Sequence, residues 1–262
     1  MNLSDCLYRA SSYLRHRLTA RNTLGYGVHS PYLYNIVHFI LYDNNRYYCF
    51  SDIEQQRQRL LRASKTVYVD DFGTLPSSSR RLSDIASSSL MPASQAQLVF
   101  RLANFLRPDV TVELGTNLGI TASYLAVAAS PQPVYTFEGS PSLISEAQSV
   151  WNTLKLQNIN AVQGNIDLTL PDFLAQHPVV DFAIIDANHT FEATLRYFSL
   201  LARHTSPKSV ILIDDIHHNR PMAQAWKQIV SDPRVTSSFD FYHFGVLFFD
   251  PQLLRKNYRM NI

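Results

Sequence analysis

Along this 262-residue chain the rhythm of apolar positions changes near residue 109. Before that point the spacing is helical. Leu3, Leu7, Leu14 and Leu18 recur on one helix face, and Gly25-Tyr26-Gly27 breaks that helix. Ser30-Pro31 reads as an N-cap followed by proline in the first turn. It opens an aromatic and aliphatic segment, 32–41, that packs either internally or across a dimer. Ser51-Asp52-Ile53-Glu54 is a capping box that starts a polar helix running to about Ala63. Val67-Tyr68-Val69 reads as a short strand ended by Asp70-Asp71-Phe72-Gly73. Residues 77–89 hold seven serines and two arginines, a composition that suits a loop or lid. A second capping box, Ser94 to Gln97, begins a helix whose Leu98, Leu102, Phe105 and Leu106 share a face, and Pro108 stops it.

From residue 109 short apolar runs alternate with helical patterns. Strands are predicted at 110–114, 133–137, 159–163, 180–185 and 209–213, which implies a parallel sheet. Ser140-Pro141 caps the helix after the second strand, and Arg220-Pro221 begins the helix after the fifth. The tail Phe239 to Phe249 is aromatic with a single glycine, too short for a helix and strand together, and reads as two strands with a tight connection. The chain therefore divides into a mainly helical accessory or lid region, 1–90, and an α/β domain, 91–262. No internal repeat is visible.

Composition narrows the class. Charged residues make up 17% and apolar residues 46%, ordinary for a soluble globular protein. Cys6 and Cys49 are the only cysteines, so no disulfide framework or C-x-x-C pair exists, and a reducing cytoplasmic setting fits. Asp5, Arg9, Arg15 and Arg17 interrupt the first apolar residues, which leaves no signal-peptide core, and no run reaches the length of a membrane span. Net charge is +2 but uneven: residues 1–90 hold 11 Lys/Arg and 7 Asp/Glu, the remainder 12 and 14. A basic front end can attract an anionic substrate or RNA; a solvated helical face is the plainer reading.

The most specific stretch is Glu113-Leu114-Gly115-Thr116-Asn117-Leu118-Gly119 followed by Ile120 and Thr121. It joins an apolar strand to a helix through a glycine turn. Glycines four apart let backbone approach a ligand closely. Glu138 ends the next apolar run, followed by Gly139, where a carboxylate can accept hydrogen bonds from the two hydroxyls of a ribose. A dinucleotide site uses G-x-G-x-x-G to cradle a pyrophosphate. Here the pattern is E-x-G-x-x-x-G, so a mononucleoside fits better.

Over residues 91–262 the chain resembles class I S-adenosylmethionine (SAM) methyltransferases. The resemblance implies a Rossmann-like, doubly wound, seven-stranded α/β sheet closed by an antiparallel hairpin. It implies SAM contacts at Glu113, Gly115, Thr116, Asn117, Gly119, Ile120, Thr121, Glu138 and Gly139. Asn165 and Ile166 stand where the third strand meets the adenine, with Asp167 as an alternative.

Asp186 ends the fourth predicted strand, and Asp214-Asp215 end the fifth. Three carboxylates at neighbouring strand ends resist full ionisation unless a proton or cation intervenes. Oxygen donors in that number suit Mg²⁺. Catechol-type and macrocin-type O-methyltransferases are similar here, with an aspartate matched by Asp186 and an acidic or amide pair matched by Asp214-Asp215. The resemblance makes these three the metal ligands and Asp186 also a cofactor contact. The Asp-Asp pair follows the macrocin-type pattern, where catechol-type enzymes have Asp-Asn. Acids that only cap helices are the plainer alternative. His189 is the candidate base, with His217 next, since imidazole can take a proton from a hydroxyl near neutral pH. His29 reads as a helix-entry residue.

No P-loop and no G-x-S-x-G elbow is present. The Asn/Asp-Pro-Pro-Tyr/Phe motif of amino-group methyltransferases is replaced by Asp186-Ala187-Asn188-His189, which favours oxygen as the acceptor. The expectation is methyl transfer to a hydroxyl of a small molecule. Alternatives are methylation of a modified tRNA base hydroxyl, an NAD-dependent oxidoreductase and a non-catalytic interaction module.

Overall fold

The computed structural model describes residues 3–41, 43, 45–70, 72 and 76–261. Asp71 and Gly73 lie outside them. The chain resolves into two compact units, one of residues 43–177 and one of residues 1–42 with 178–262.

Two helices open the chain, α1 (Leu3–Thr19) and α2 (Pro31–Leu41). Between them the predicted break is real: Leu24, Gly25 and Gly27 all take positive φ. Ser30 Oγ accepts the Leu33 amide at 3.3 Å, so the expected cap forms.

The 43–177 unit begins with α3 (Tyr48–Leu61), three residues ahead of the predicted box and without a side-chain cap. Then come β1 (Thr66–Val69), β2 (Ser78–Arg81), α4 (Leu82–Ser89) and α5 (Ala93–Leu106). The serine-rich segment is thus not a loop. Residues 78–81 pair antiparallel with β1, Thr66 opposite Arg81. Backbone pairing satisfies their polar groups without any apolar side chain. Leu82, Ile85 and Ala86 then bury one face of α4 at helical spacing.

The rest of this unit alternates as predicted: β3 (Thr111–Leu114), α6 (Ile120–Ala129), β4 (Val134–Glu138), α7 (Pro141–Thr153), β5 (Ile159–Gln163) and α8 (Ile166–Gln176). The three strands are parallel, with Thr111 beside Val134 and Val134 beside Ile159. Helix α6 is buried nearly all round, which is why it has no polar face to read. It packs on α5 and α3, where Phe50, Phe100 and Tyr124 meet edge to face at 5.0–6.4 Å. Burial of each such ring contributes about 1.5–3 kcal/mol.

The other unit continues with β6 (Phe182–Ile185), α9 (Phe191–Leu201), β7 (Val210–Asp214), α10 (Arg220–Ile229), β8 (Ser237–Asp240), β9 (Phe244–Phe248) and β10 (Lys256–Arg259). β6 and β7 are parallel, and β9 runs antiparallel to both β7 and β8, the closing hairpin that the aromatic tail implied. β10 adds parallel to β8. That makes three strands following the glycine-turn pattern in one unit and five in the other, eight against the seven expected. Only Tyr258 of β10 is buried, so its sequence carries no strand alternation. Helix α1 docks on this hairpin, where Tyr242 Oη lies 2.8 Å from the Arg9 carbonyl and 2.9 Å from Ser12 Oγ. Among the described residues, no helix is long and apolar enough to cross a membrane. The architecture is the α/β, Rossmann-like class.

Candidate active site

In the 43–177 unit the glycine turn sits at the carboxyl end of β3. Gly115 has φ 104° and Gly119 φ 75°, conformations that side-chain-bearing residues rarely adopt. The amides of Gly115 and Thr116 bond the Phe137 carbonyl at 3.0 and 3.1 Å, which ties the turn to β4. Glu138, at the end of β4, accepts the Asn117 amide on Oε2 at 2.9 Å and the Ser140 amide on Oε1 at 3.0 Å. Two backbone donors aim this carboxylate, and its roughly four acceptor sites allow it to take hydroxyl donors as well.

Side chains around the turn divide into two groups. Thr116, Ile120 and Thr121 are buried. Thr116 Oγ1 bonds Thr136 at 2.6 Å, which commits that hydroxyl within the fold. A Cβ on Gly119 would lie 2.6 Å from Trp151 Nε1 and 2.8 Å from Ala147 Cβ. That glycine is needed for packing of α7 on the turn. Glu113 is fully buried beneath the site and bonds Thr136 Oγ1. Burial pushes its carboxyl up to about 8, so it is largely neutral at pH 7.

Phe72 and Ser140 have roles beside the turn that differ from those their sequence suggested, a strand end and a helix cap. The Phe72 ring presses on Gly139, where an added Cβ would meet Cδ2 at 2.3 Å. Ser140 is the N-cap of α7, but its hydroxyl accepts the Asp70 amide at 3.2 Å instead of capping. Both signals are long-range and leave no local pattern. Asn165 caps α8, its Oδ1 accepting the Asp167 amide at 2.9 Å, and Ile166 is buried beside it. A cleft of about 740 Å³ in this unit, lined by Tyr48, Asp52, Pro133, Lys155 and Asn158, lies at the amino ends of β4 and β5, away from these groups.

The other unit gathers acids and histidines after β6 and β7. Burial, reinforced by the Asp215 charge, pushes Asp214 up to about 7. Asp186 stands close enough to Asp214 to hold its pKa down slightly, against these larger effects. His189 lies 3.5 Å from Asp186 Oδ1 and 3.9 Å from Asp215 Oδ2, and His218 lies 3.4 Å from Asp215 Oδ2. Burial lowers the His189 pKa, against the pull of Asp215, so the ring is neutral near pH 7. Asn188, His189 and Asp215 all have positive φ, a cost that a packed scaffold has to hold in place. His217 does not join this group. It turns to Asp240, 3.0 Å from Oδ2.

Residues 112–216 match a family model described as a methyltransferase domain. The match spans 105 of the 262 residues. No curated protein matches the sequence. Solved structures are similar in fold. An O-methyltransferase from Bacillus cereus in complex with SAH is 16% identical, with 78% of this chain and 91% of that one covered and a TM-score of 0.55. The SAH-bound methyltransferase PaMTH1 of Podospora anserina is 12% identical over 84% and 96%, with a TM-score of 0.60. The O-methyltransferase TomG of Streptomyces achromogenes, involved in tomaymycin synthesis and solved with SAM, is 16% identical over 82% and 95%, with a TM-score of 0.56. A methyltransferase accounts for the glycine turn and acid better than a nicotinamide enzyme does.

Proposed function

We propose that this protein transfers a methyl group from SAM to a hydroxyl oxygen of a small molecule. The observation that supports it most is Glu138, whose carboxylate is fixed by two backbone amides at the end of β4 beside the glycine turn. That arrangement suits the paired hydroxyls of a ribose, and Asn117, Gly115 and Gly139 supply backbone around it. When bound, SAM supplies a methyl group on a positively charged sulfur. The chain's own work is to align that donor, take a proton from the acceptor and exclude water.

His189 is assigned the proton transfer. Its ring is neutral near pH 7, and Asp186 at 3.5 Å orients it and stabilises the imidazolium that forms. Asp186, Asp214 and Asp215 would hold a hard dication such as Mg²⁺. Three clustered carboxylates are the oxygen donors such an ion prefers, and its charge would take the place of the proton that burial favours on Asp214. The ion would supply Lewis acidity at the substrate hydroxyl.

Calorimetric titration with SAM and, separately, with NAD tests the cofactor. Micromolar SAM binding with no NAD binding is expected; the reverse would remove the proposal. Transfer of labelled methyl to a panel of phenols and vicinal diols, with and without chelator, tests acceptor and metal. Undiminished turnover in excess chelator would remove the Mg²⁺ assignment and leave the SAM reading standing.

A further inference from the structure

His16, His217 and Asp240 come from α1, the loop after β7 and the end of β8, all within one unit. One donor atom from each lies within 4.8 Å of the other two. We propose that they form a binding site for a transition-metal dication, Zn²⁺ by donor chemistry. The proposal does not depend on the methyl-transfer reading.

The protons argue for it first. His16 Nε2 lies 2.9 Å from the Met260 carbonyl oxygen, which can only accept, so Nε2 carries the hydrogen. Nδ1 of the neutral ring is then a bare lone pair. It faces Asp240 Oδ1 at 3.4 Å, in a pocket where His16 is 4% and Asp240 1% exposed. Nδ1 has no hydrogen-bond partner. A protonated ring does not remove the problem, because charged N–H···O bonds close to about 2.7–2.9 Å. A cation bonded to both atoms does remove it.

The distances fit such an ion. Zn–N and Zn–O bonds of about 2.0–2.1 Å in a tetrahedron put ligand atoms roughly 3.3 Å apart. His16 Nδ1 to Asp240 is 3.4 Å, and His217 Nε2 lies 3.0 and 3.2 Å from the two carboxylate oxygens. The surroundings resemble an outer shell. The Met260 carbonyl fixes the His16 tautomer, the Tyr242 amide bonds Asp240 Oδ1 at 3.0 Å, and the Tyr242 ring stacks on His217 with centroids 5.2 Å apart. Two imidazoles and one carboxylate favour zinc over magnesium, which prefers oxygen. Three protein donors leave a fourth position for water or another ligand. The ion would pin α1 to the β8–β9 hairpin.

Arg259 is the competing explanation for the buried carboxylate. Its Nε stands 3.7 Å from Asp240 Oδ2, beyond hydrogen-bond reach, and is itself a buried donor with no hydrogen-bond partner. A close Arg–Asp pair would have satisfied both.

The test uses the full chain, freed of any affinity tag and stripped with chelator, then titrated with Zn²⁺ against a chromophoric competitor. At least one zinc per chain and a higher melting temperature with zinc are expected. His16→Gln and His217→Gln should each weaken binding by more than the roughly 10–100-fold that loss of an outer-shell partner costs. Asp186→Asn, which alters the oxygen-rich cluster, should retain the zinc that the two histidine variants lose. Parent-like zinc binding in His16→Gln, or no binding by the parent, overturns the site and leaves a polar network of Arg259, Asp240 and the histidines. Should both histidine variants unfold, the Co²⁺ spectrum of the parent decides. Intense visible bands of a four-coordinate ion support the assignment, and the weak bands of a six-coordinate ion overturn it.

Discussion

Glu138 and Asp214 both end a parallel strand, β4 in one unit and β7 in the other, and their surroundings are opposite. Glu138 faces two backbone N–H groups that aim it and stabilise its charge. Asp214 faces two more carboxylates, and burial leaves it half protonated near neutral pH. The first carboxylate is already held by its donors and has acceptor sites left for neutral hydroxyls. The second group is electrostatically incomplete and calls for something positive. In the proposed function, cofactor recognition and acid-base chemistry would thus rest on different physics, and substitutions can separate them.

The largest separation is expected from His189→Ala. Loss of a positioned base typically costs about 10²–10⁴ in rate. The kcat for methyl transfer should fall by that factor, with SAM affinity unchanged in calorimetry. A variant that lost SAM binding but kept kcat at saturation would reverse the assignment of the two regions.

Glu138→Ala should do the converse. It removes charged hydrogen bonds worth about 1.5–3 kcal/mol each and leaves the Asn117 and Ser140 amides without their acceptor. SAM affinity should weaken about 100-fold. Equal SAM affinity in variant and parent, measured by calorimetry, would place the ribose elsewhere.

How far the sequence predicted this contrast depends on range. The five parallel strands β3 to β7 were legible because each is a mainly apolar run beside a glycine, proline or acid, and their bounds shift by no more than two residues. The closing hairpin was legible because Phe239 to Phe249 is too aromatic and too short for anything else. β2 was not legible, since Ser78 to Arg81 holds its place by backbone pairing alone. The same limit applies to the sites. Glu138 announces itself by its spacing from Gly115. The turn of His217 toward Asp240 depends on a hairpin 23 residues away, and the contact with His16 spans more than 200 residues.

Gly119→Ala tests a reading that the structure changes. The pattern suggested that this glycine lets backbone approach a ligand. Its φ of 75° and the Trp151 and Ala147 atoms pressing on it give it a packing role. Forcing a Cβ there combines left-handed strain with overpacking, about 2–3 kcal/mol together. The melting temperature should drop, while SAM affinity of the folded fraction changes little. Lost affinity at parent-like stability would restore the ligand-approach role.

Glu113→Gln is the gentlest probe, because it touches the cofactor region through its foundation. The buried Glu113 carboxyl titrates at about 8 when folded, against an ordinary value of 4.5. A raised folded pKa means that the native state holds its proton longer than the unfolded chain does. Between pH 4.5 and 8 the unfolded state therefore binds fewer protons, and stability falls as pH rises. From pH 5 to pH 7 this one group should cost the parent about 2 kcal/mol. Glutamine is isosteric and neutral at every pH, and can still bond Thr136. The variant should match the parent near pH 5 and exceed it near pH 8, so their denaturant midpoints diverge with pH. Parallel curves would mean that Glu113 is ionised in the native state. The carboxylate foundation under the glycine turn would then be charged, as the cluster after β7 is in part, and the contrast between the two regions would narrow.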